Sequence, residues 1–300
     1  MKAVLLKAYG DADQFEIADI PTPQPGPGEV LIKIEASAIN PFDLILRQGY
    51  MVQYIPLPLP AILGSDAAGT IAALGEGVTG FAVGERVVAD FAHNGKAAHA
   101  EYGVVDASSV AKLPANLSFE QGASIVKAGL TGRQSVDALW LKAGDRVLVS
   151  GALGSVGRAA IQHLKAIDAV PVAGVRAERL DEGCRLAGDA IDITVAPTSA
   201  AFDYAISAAG PVAANLIANV RDGGTVASIV PVPEGANDDG RVTIHELYHR
   251  TDAAMLDAVL AVASRGELVI PIAQTLPLTK IAAAHRAVAG GAPGKIVLKH

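Results

Sequence analysis

The stretch that decides the fold is Arg146-Val-Leu-Val-Ser-Gly-Ala-Leu-Gly-Ser-Val-Gly157, which runs on to Arg176. Residues 146–150 read as a short buried strand, and Ser155–Ile167 as a helix with apolar positions at helical spacing. The apolar run Val170–Val175 then lies at the right distance to be the next parallel strand. Between strand and helix stand Gly151, Gly154 and Gly157, with Ala152 and Leu153 filling the turn. A dinucleotide pyrophosphate binds against the free N–H groups and positive end of such a helix start. A side chain at Gly154 would collide with the ligand, and Gly157 allows close helix–strand contact. Ala152 stands where the first glycine of G-x-G-x-x-G would be. The flanking strand–helix–strand context favours nucleotide binding over a plain turn.

The end of the second strand selects the nucleotide. Asp or Glu there would accept bonds from unphosphorylated ribose hydroxyls. This chain has Val175-Arg176-Ala177-Glu178-Arg179, and Arg176 and Arg179 offer planar charged forks for a 2′-phosphate, which points to NADPH. The alternative is that both are solvated helix-start residues, with Glu178 pairing with either.

Outward from this core, 300 residues suffice for two domains. About half the residues are apolar (51%), but no uncharged, proline-free run is long enough for a bilayer, so no membrane partner is expected. Met1-Lys-Ala-Val-Leu-Leu-Lys7 is charged too early for a signal peptide and suits an edge strand; the expectation is a cytoplasmic protein. Cys184 is the single cysteine, which excludes intramolecular disulfides and cysteine zinc clusters. A net charge of −7 without a long basic block argues against nucleic acid as the main partner.

The first hundred residues read as β-rich, with candidate strands at 2–9, 29–38, 67–74, 86–91 and 100–105 separated by turn clusters, suggesting a small, partly open barrel. Ser118 and Gln121 form a capping box that starts one helix, and a further helix is expected around 129–140. Beyond Arg176, helices at 178–186 and 212–220 alternate with strands at 190–194, 202–207 and 225–230, the pattern of a doubly wound parallel sheet. A helix at 253–264 is followed by a strand at 268–274, a helix at 278–289 and a strand at 295–298.

Taken in order, Glu29-Val-Leu-Ile-Lys-Ile-Glu-Ala-Ser-Ala-Ile-Asn-Pro-Phe-Asp43, Leu63-Gly-Ser-Asp-Ala-Ala-Gly69, Gly84-Glu-Arg-Val-Val88, Ala100-Glu-Tyr102, Lys127-Ala-Gly-Leu-Thr131, the glycine turn and Gly294-Lys-Ile-Val-Leu298 carry a family pattern. The chain resembles the zinc-free quinone oxidoreductase branch of the medium-chain dehydrogenase/reductase superfamily. The resemblance implies an α/β protein: a GroES-like β-rich substrate domain (1–122, completed by 267–300), a Rossmann domain (123–266), and a cleft between them. It implies NADPH as hydride donor to a quinone or other conjugated carbonyl, and a homodimer, for which the sheet edge near 241–247 is the place to look. By position, Asn40 would approach the nicotinamide, Lys127 and Thr131 the cofactor phosphate and ribose, Gly151, Ala152, Leu153, Gly154, Ser155 and Val156 the pyrophosphate, and Lys295 the cofactor from the tail side. The bland readings are a turn-stabilising Asn40, a surface Lys127, a self-bonded Thr131 and a solvated Lys295. Tyr50 and His93 are the candidates for contacting substrate, and His99 could also reach a substrate oxygen.

The chain departs from the family in places. Zinc-dependent relatives carry a cysteine near position 40 and Gly-His-Glu near 64–66, whereas this chain has Asn40 and Gly64-Ser-Asp66. Ile45 stands where some bacterial quinone reductases carry a tyrosine, and the stretches 196–201 and 250–266 are short. His245-Glu-Leu-Tyr-His249 spells a zinc-protease motif, but Arg241-Val-Thr-Ile-His245 reads as a strand leading into it and no third ligand is spaced for it, so it reads as chance. Leu153-Gly-Ser-Val-Gly157 lacks the first glycine of a serine-hydrolase elbow. No firm catalytic residue emerges. The rival functions are an enoyl or alkenal reductase and a non-catalytic, crystallin-like NADPH-binding protein.

Overall fold

The computed structural model describes residues 1–92 and 97–300. In chain order the elements are β1 (Lys2–Leu6), β2 (Phe15–Asp19), β3 (Glu29–Ile39), α1 (Pro41–Gln48), β4 (Asp66–Leu74), β5 (Arg86–Asp90), β6 (Tyr102–Asp106), β7 (Val110–Lys112) and α2 (Phe119–Asp137). Then come β8 (Arg146–Ser150), α3 (Ser155–Ala166), β9 (Val170–Val175), α4 (Leu180–Ala187), β10 (Ala190–Asp192), β11 (Phe202–Ser207), α5 (Ala213–Ala218), β12 (Val220–Ser228) and β13 (Thr243–Glu246). The chain ends with α6 (Ala253–Ser264), β14 (Ile272–Pro277), α7 (Ile281–Ala289) and β15 (Lys295–Lys299). It divides into two compact units: residues 1–127, 251–265 and 270–300 form the first, and residues 128–250 and 266–269 the second.

The first unit holds a seven-stranded sheet in the order β14-β15-β3-β4-β5-β7, with β6 also paired to β3, and a separate β1-β2 hairpin. The sheet order has two ends, so the barrel is open. β3 is its spine: Glu29–Lys33 pairs with β6, Ala36–Ile39 pairs antiparallel with β15, and the stretch from Val30 to Ala38 pairs with β4 through register shifts. Such bulges bend a long strand and let one edge serve two partners. Val30, Ile32 and Ile34 alternate inward with Ala67, Ile71, Val87, Ala89 and Phe91 to form the core. This is the GroES-like architecture that the sequence implies.

The second unit is a six-stranded, wholly parallel sheet ordered β10-β9-β8-β11-β12-β13. That is the strand order of the Rossmann fold. Alternation along β8 shows why helices cover both faces. Val147 and Val149 pack with Ile161 and Leu164 of α3, while Leu148 packs with Leu216 and Ile217 of α5.

Several element boundaries move. The two helices expected around 118–140 are one, α2, capped as predicted: Ser118 N–H donates to Gln121 Oε1 (2.8 Å) and Gln121 N–H to Ser118 Oγ (3.1 Å). Gly132, inside α2, is a contact point: a Cβ there would lie 2.7 Å from the Ala159 Cβ of α3. The tail strand starts at Ile272 rather than 268, and β12 starts at Val220, five residues earlier than the expected 225. β2, β7 and α1 were not anticipated. No helix among the described residues is long and apolar enough to cross a membrane.

Candidate functional site

In the second unit the glycine turn has a distinct task at each position. Gly151 has φ +61°, and a Cβ on it would meet the Ala208 carbonyl at 2.8 Å. A Cβ on Gly157 would lie 2.3 Å from the Gly151 carbonyl oxygen, so this glycine is what lets α3 start directly on the turn. Gly154 is the N-cap of α3, and a Cβ there would meet nothing closer than Gly151 O at 3.2 Å. Its outward side is therefore open. The amides of Ser155 and Val156 open the helix and have no partner within it. Ala152 and Leu153 occupy the turn, with Ala152 buried in the core. An open cradle against free amides at a helix start fits a pyrophosphate.

Arg176 is exposed at the end of β9; its carbonyl accepts the Arg179 N–H at 2.9 Å, and its guanidinium makes no hydrogen bond or ion pair with the described residues. Arg179 is engaged, though by Glu182 of α4 rather than by Glu178: its Nε (3.0 Å) and Nη2 both donate to Glu182 Oε2. The other carboxylate oxygen lies 3.7 Å from Arg158 Nη2. Thr131, on α2, bonds through Oγ1 to His249 Nδ1 at 3.0 Å, and its carbonyl accepts the Ser135 hydroxyl at 2.8 Å. His245 and Glu246 of the zinc-protease-like motif lie on β13, the edge strand of the sheet, and not on a helix. Along extended chain, residues four apart are separated by about 13 Å, too far for both imidazoles to reach one ion, and His249 lies beyond the strand, bonded to Thr131.

In the first unit, Asn40, Lys295 and Lys127 join one buried polar cluster. The Lys295 ammonium, 4% exposed, donates to Asn40 Oδ1 and lies 3.3 Å from Asp66 Oδ2. Ser65 Oγ donates to Asp66 Oδ1 (2.8 Å), and the Asn40 amide reaches Ser65 Oγ at 3.4 Å. Asn40 precedes Pro41 as the N-cap of α1, and its N–H donates to Asp43 Oδ2 at 2.7 Å. Lys127 N–H approaches Asp66 Oδ2 at 3.3 Å, and its ammonium lies 3.6 Å from Asp90, which also accepts the Thr251 hydroxyl at 2.7 Å. Burial, reinforced by the Asp66 charge, pushes the Asp43 carboxyl up to about 7, against the pull of Asn40 N–H, Lys127 and Lys295. Neither lysine is the surface residue that local sequence alone would allow.

The substrate candidates do not gather. Tyr50 follows α1 with its side chain 74% exposed. His93 lies outside the described residues. His99 is corrected outright: it is fully buried, bonded through Nδ1 to Ser37 Oγ (3.1 Å), and cannot meet a substrate. His163 packs inside the second unit against the Gly129 carbonyl (3.3 Å). Sequence reasoning missed Asp43, Asp66, Asp90, Arg158 and Glu182. Asp43 and Asp66 stood inside quoted motifs, and an acidic residue in the first turn of α4 was the only local signal for Glu182.

A GroES-like sheet and a Rossmann sheet with an open glycine turn define a two-module, nucleotide-fold protein, and comparison with known proteins agrees. Residues 26–115 match the alcohol dehydrogenase GroES-like domain and residues 187–298 the zinc-binding dehydrogenase family. A human quinone oxidoreductase is 38% identical over 169 residues, covering 55% of this chain and 50% of the relative. The chloroplast envelope quinone oxidoreductase homolog of Arabidopsis thaliana is 29% identical over 251 residues, covering 78% of this chain and 76% of its own. A solved structure described as an NAD-dependent alcohol dehydrogenase superposes with TM-score 0.89 at 30% identity, over 100% of both chains. Alignments to several curated relatives, the human protein included, cover about half of their length. The chain belongs to the medium-chain dehydrogenase/reductase superfamily.

Proposed function

We propose that the protein is an NADPH-dependent reductase that passes hydride to a quinone or related conjugated carbonyl without zinc. The observation that carries this reading is the open turn at Gly151–Gly157 with unpartnered Arg176 at the end of the adjacent strand. Residues 151–156 would hold the pyrophosphate and Arg176, with Arg179, the 2′-phosphate. Thr131, Asn40 and Lys127 are proposed as further cofactor contacts. The NAD-dependent description of the superposed structure belongs to that protein; an arginine at 176 is this chain's own argument for the phosphorylated form.

The zinc-free reading rests on what fills the polar cluster. The chain offers Asn40, Ser65 and Asp66, and the Lys295 ammonium already lies on Asn40 and Asp66. A fixed cation among these oxygens repels a dication, and an amide and a hydroxyl are poor zinc ligands beside thiolate and imidazole. Lys295 thus contributes by holding the Asn40 amide in one orientation.

When bound, the nicotinamide supplies the hydride; the protein supplies alignment and exclusion of water. A reduced quinone anion is delocalised and takes its proton from water, so the reaction asks for no acid from the protein. The test is a fluorescence titration with NADPH followed by steady-state oxidation with quinones, enones and aldehydes, with and without a chelator. Tight NADPH binding and chelator-insensitive turnover fastest with a quinone are expected. Faster turnover of an enone than of every quinone would reassign the protein to double-bond reduction. Binding without oxidation by any acceptor would make it a binding protein, and absence of dinucleotide binding would overturn the proposal.

A further inference from the structure

We propose that Glu182 sets this protein's discrimination between phosphorylated and unphosphorylated dinucleotides, by occupying guanidinium groups that a 2′-phosphate would otherwise use. The inference rests on the reading that a dinucleotide binds at the 151–157 turn.

Three arginines converge on the region where β9 ends: Arg158 on α3, Arg176 just after β9, and Arg179 at the start of α4. Glu182 ties up two of them. One oxygen accepts from both Nε and Nη2 of Arg179, and the other faces Arg158 Nη2 at 3.7 Å. Arg158 is the more buried of the pair, 19% exposed against 41% for Arg179, and the Glu182 charge offsets part of its desolvation. A phosphate placed between arginines would present the same thing to them: an anionic oxygen accepting from a planar fork. Glu182 is therefore an internal competitor for the anion. With it in place, Arg176 is the only guanidinium of the three free to meet a phosphate without breaking an existing pair. Without it, the cluster gains one net positive charge, and the Arg179 and Arg158 forks are both open. Glu182 also stands in the first turn of α4, where an anion is favoured, so the ion pair is held in place from both sides.

The experiment measures Kd for NADPH and for NADH by nicotinamide fluorescence in the wild type, E182Q and E178Q. Glutamine keeps the size and an acceptor oxygen while removing the charge. The expected result for E182Q is about ten-fold tighter NADPH binding, the size of one charge-assisted hydrogen bond, with NADH changed less than about two-fold. Raised salt should shrink the gain. E178Q removes the same charge from an exposed residue that pairs with neither arginine, and its NADPH-to-NADH ratio should stay within about two-fold of the wild type. An unchanged ratio in E182Q would overturn the proposal. So would a ratio raised only by loss of NADH affinity, which would make Glu182 a ribose acceptor, or an equal effect from E178Q. Failure of the wild type to bind either dinucleotide would remove the functional reading itself, and this inference with it.

Discussion

At the scale of the residue, the cluster around Lys295 is unbalanced. Among the described residues it brings together three carboxylates, Asp43, Asp66 and Asp90, and two ammonium groups, Lys127 and Lys295. Asp43 is the least well served: Oδ2 accepts one backbone N–H, and Oδ1 is buried without a partner. A proton on Asp43 makes the cluster neutral, and its carboxyl is pushed up to about 7 by burial first and by Asp66 second. Because the folded value exceeds the unfolded one of about 4, the folded protein binds the proton more tightly. The stabilisation is complete below that unfolded value and is lost as pH rises through about 7. Asp43→Asn keeps an acceptor for the Asn40 N–H and has no proton to lose. The difference in unfolding free energy, variant minus wild type, should therefore climb between pH 5 and pH 8, by on the order of 2 kcal/mol. Denaturant titrations at several pH values measure it, and a flat difference would show that Asp43 does not hold the proton. Little of this was legible locally. Asn40, Lys127 and Lys295 could be named through the family pattern, but Lys295 meets Asn40 across 255 residues of chain, and no local rule reports such a pairing.

At the scale of the element, the legible parts were those whose signals are local. The capping box at Ser118 and the strand–glycine turn–helix at 146–166 stand where short-range chemistry puts them. α1 was equally legible and was missed: Asn40 as cap, Pro41 at the first helical position, Asp43 in the first turn, Arg47 in the last and Gly49 at φ +82° are its start and stop signals. The two helices expected around 118–140 are one because Gly132, a poor helix former, answers to close contact with the neighbouring helix. The same reasoning separates two glycines of the turn by experiment. Gly157→Ala drives a Cβ to 2.3 Å from a backbone oxygen that cannot move without moving the turn. It should cost about 2–4 kcal/mol of stability, at the upper end of overpacking effects. Gly154→Ala adds a methyl to the open side, its nearest neighbour at 3.2 Å, and should change stability by less than about 1 kcal/mol. Its loss should appear in NADPH affinity, about ten-fold or more. Thermal unfolding and fluorescence titration of both variants test the pair. Equal losses of stability would refute the division of roles, and undiminished affinity in Gly154→Ala would remove the pyrophosphate from this turn.

At the scale of the whole molecule, buried histidines are unevenly shared between the two units. The first unit holds the buried His99 and His285 and the half-buried His300, and the second holds the buried His163. Ser37 Oγ links His99 Nδ1 (3.1 Å) to His300 Nε2 (2.8 Å), and the His285 ring meets His99 edge-on at 6.3 Å. Burial dominates each shift. His99 is held well below its ordinary value, with His285 and His300 adding to the effect. His285 is lowered to about 3, with Arg47 contributing, and His300 to about 4 against the pull of Ala100, Glu101 and Glu35. His163 is lowered to about 4, with Arg133 assisting. A base whose folded value is depressed contributes stability above its unfolded value, near 6.5, and that stability is lost as pH falls toward the folded value. At pH 4.5 each such histidine costs the folded state up to about 2.7 kcal/mol. Protonation of Asp43 works the other way in the first unit and offsets about one of its three. The balance still leaves that unit with roughly twice the acid penalty of the second, out of a total stability of about 5–15 kcal/mol. Acid should therefore open the first unit before the second. Hydrogen exchange at pH 4.5 should show the amides of β1, β3 and β15 losing protection while β8, β9 and β11 keep theirs, with both sets protected at pH 7. Earlier exchange in β8 and β9, or simultaneous loss in both units, would show that the buried imidazoles do not govern acid unfolding.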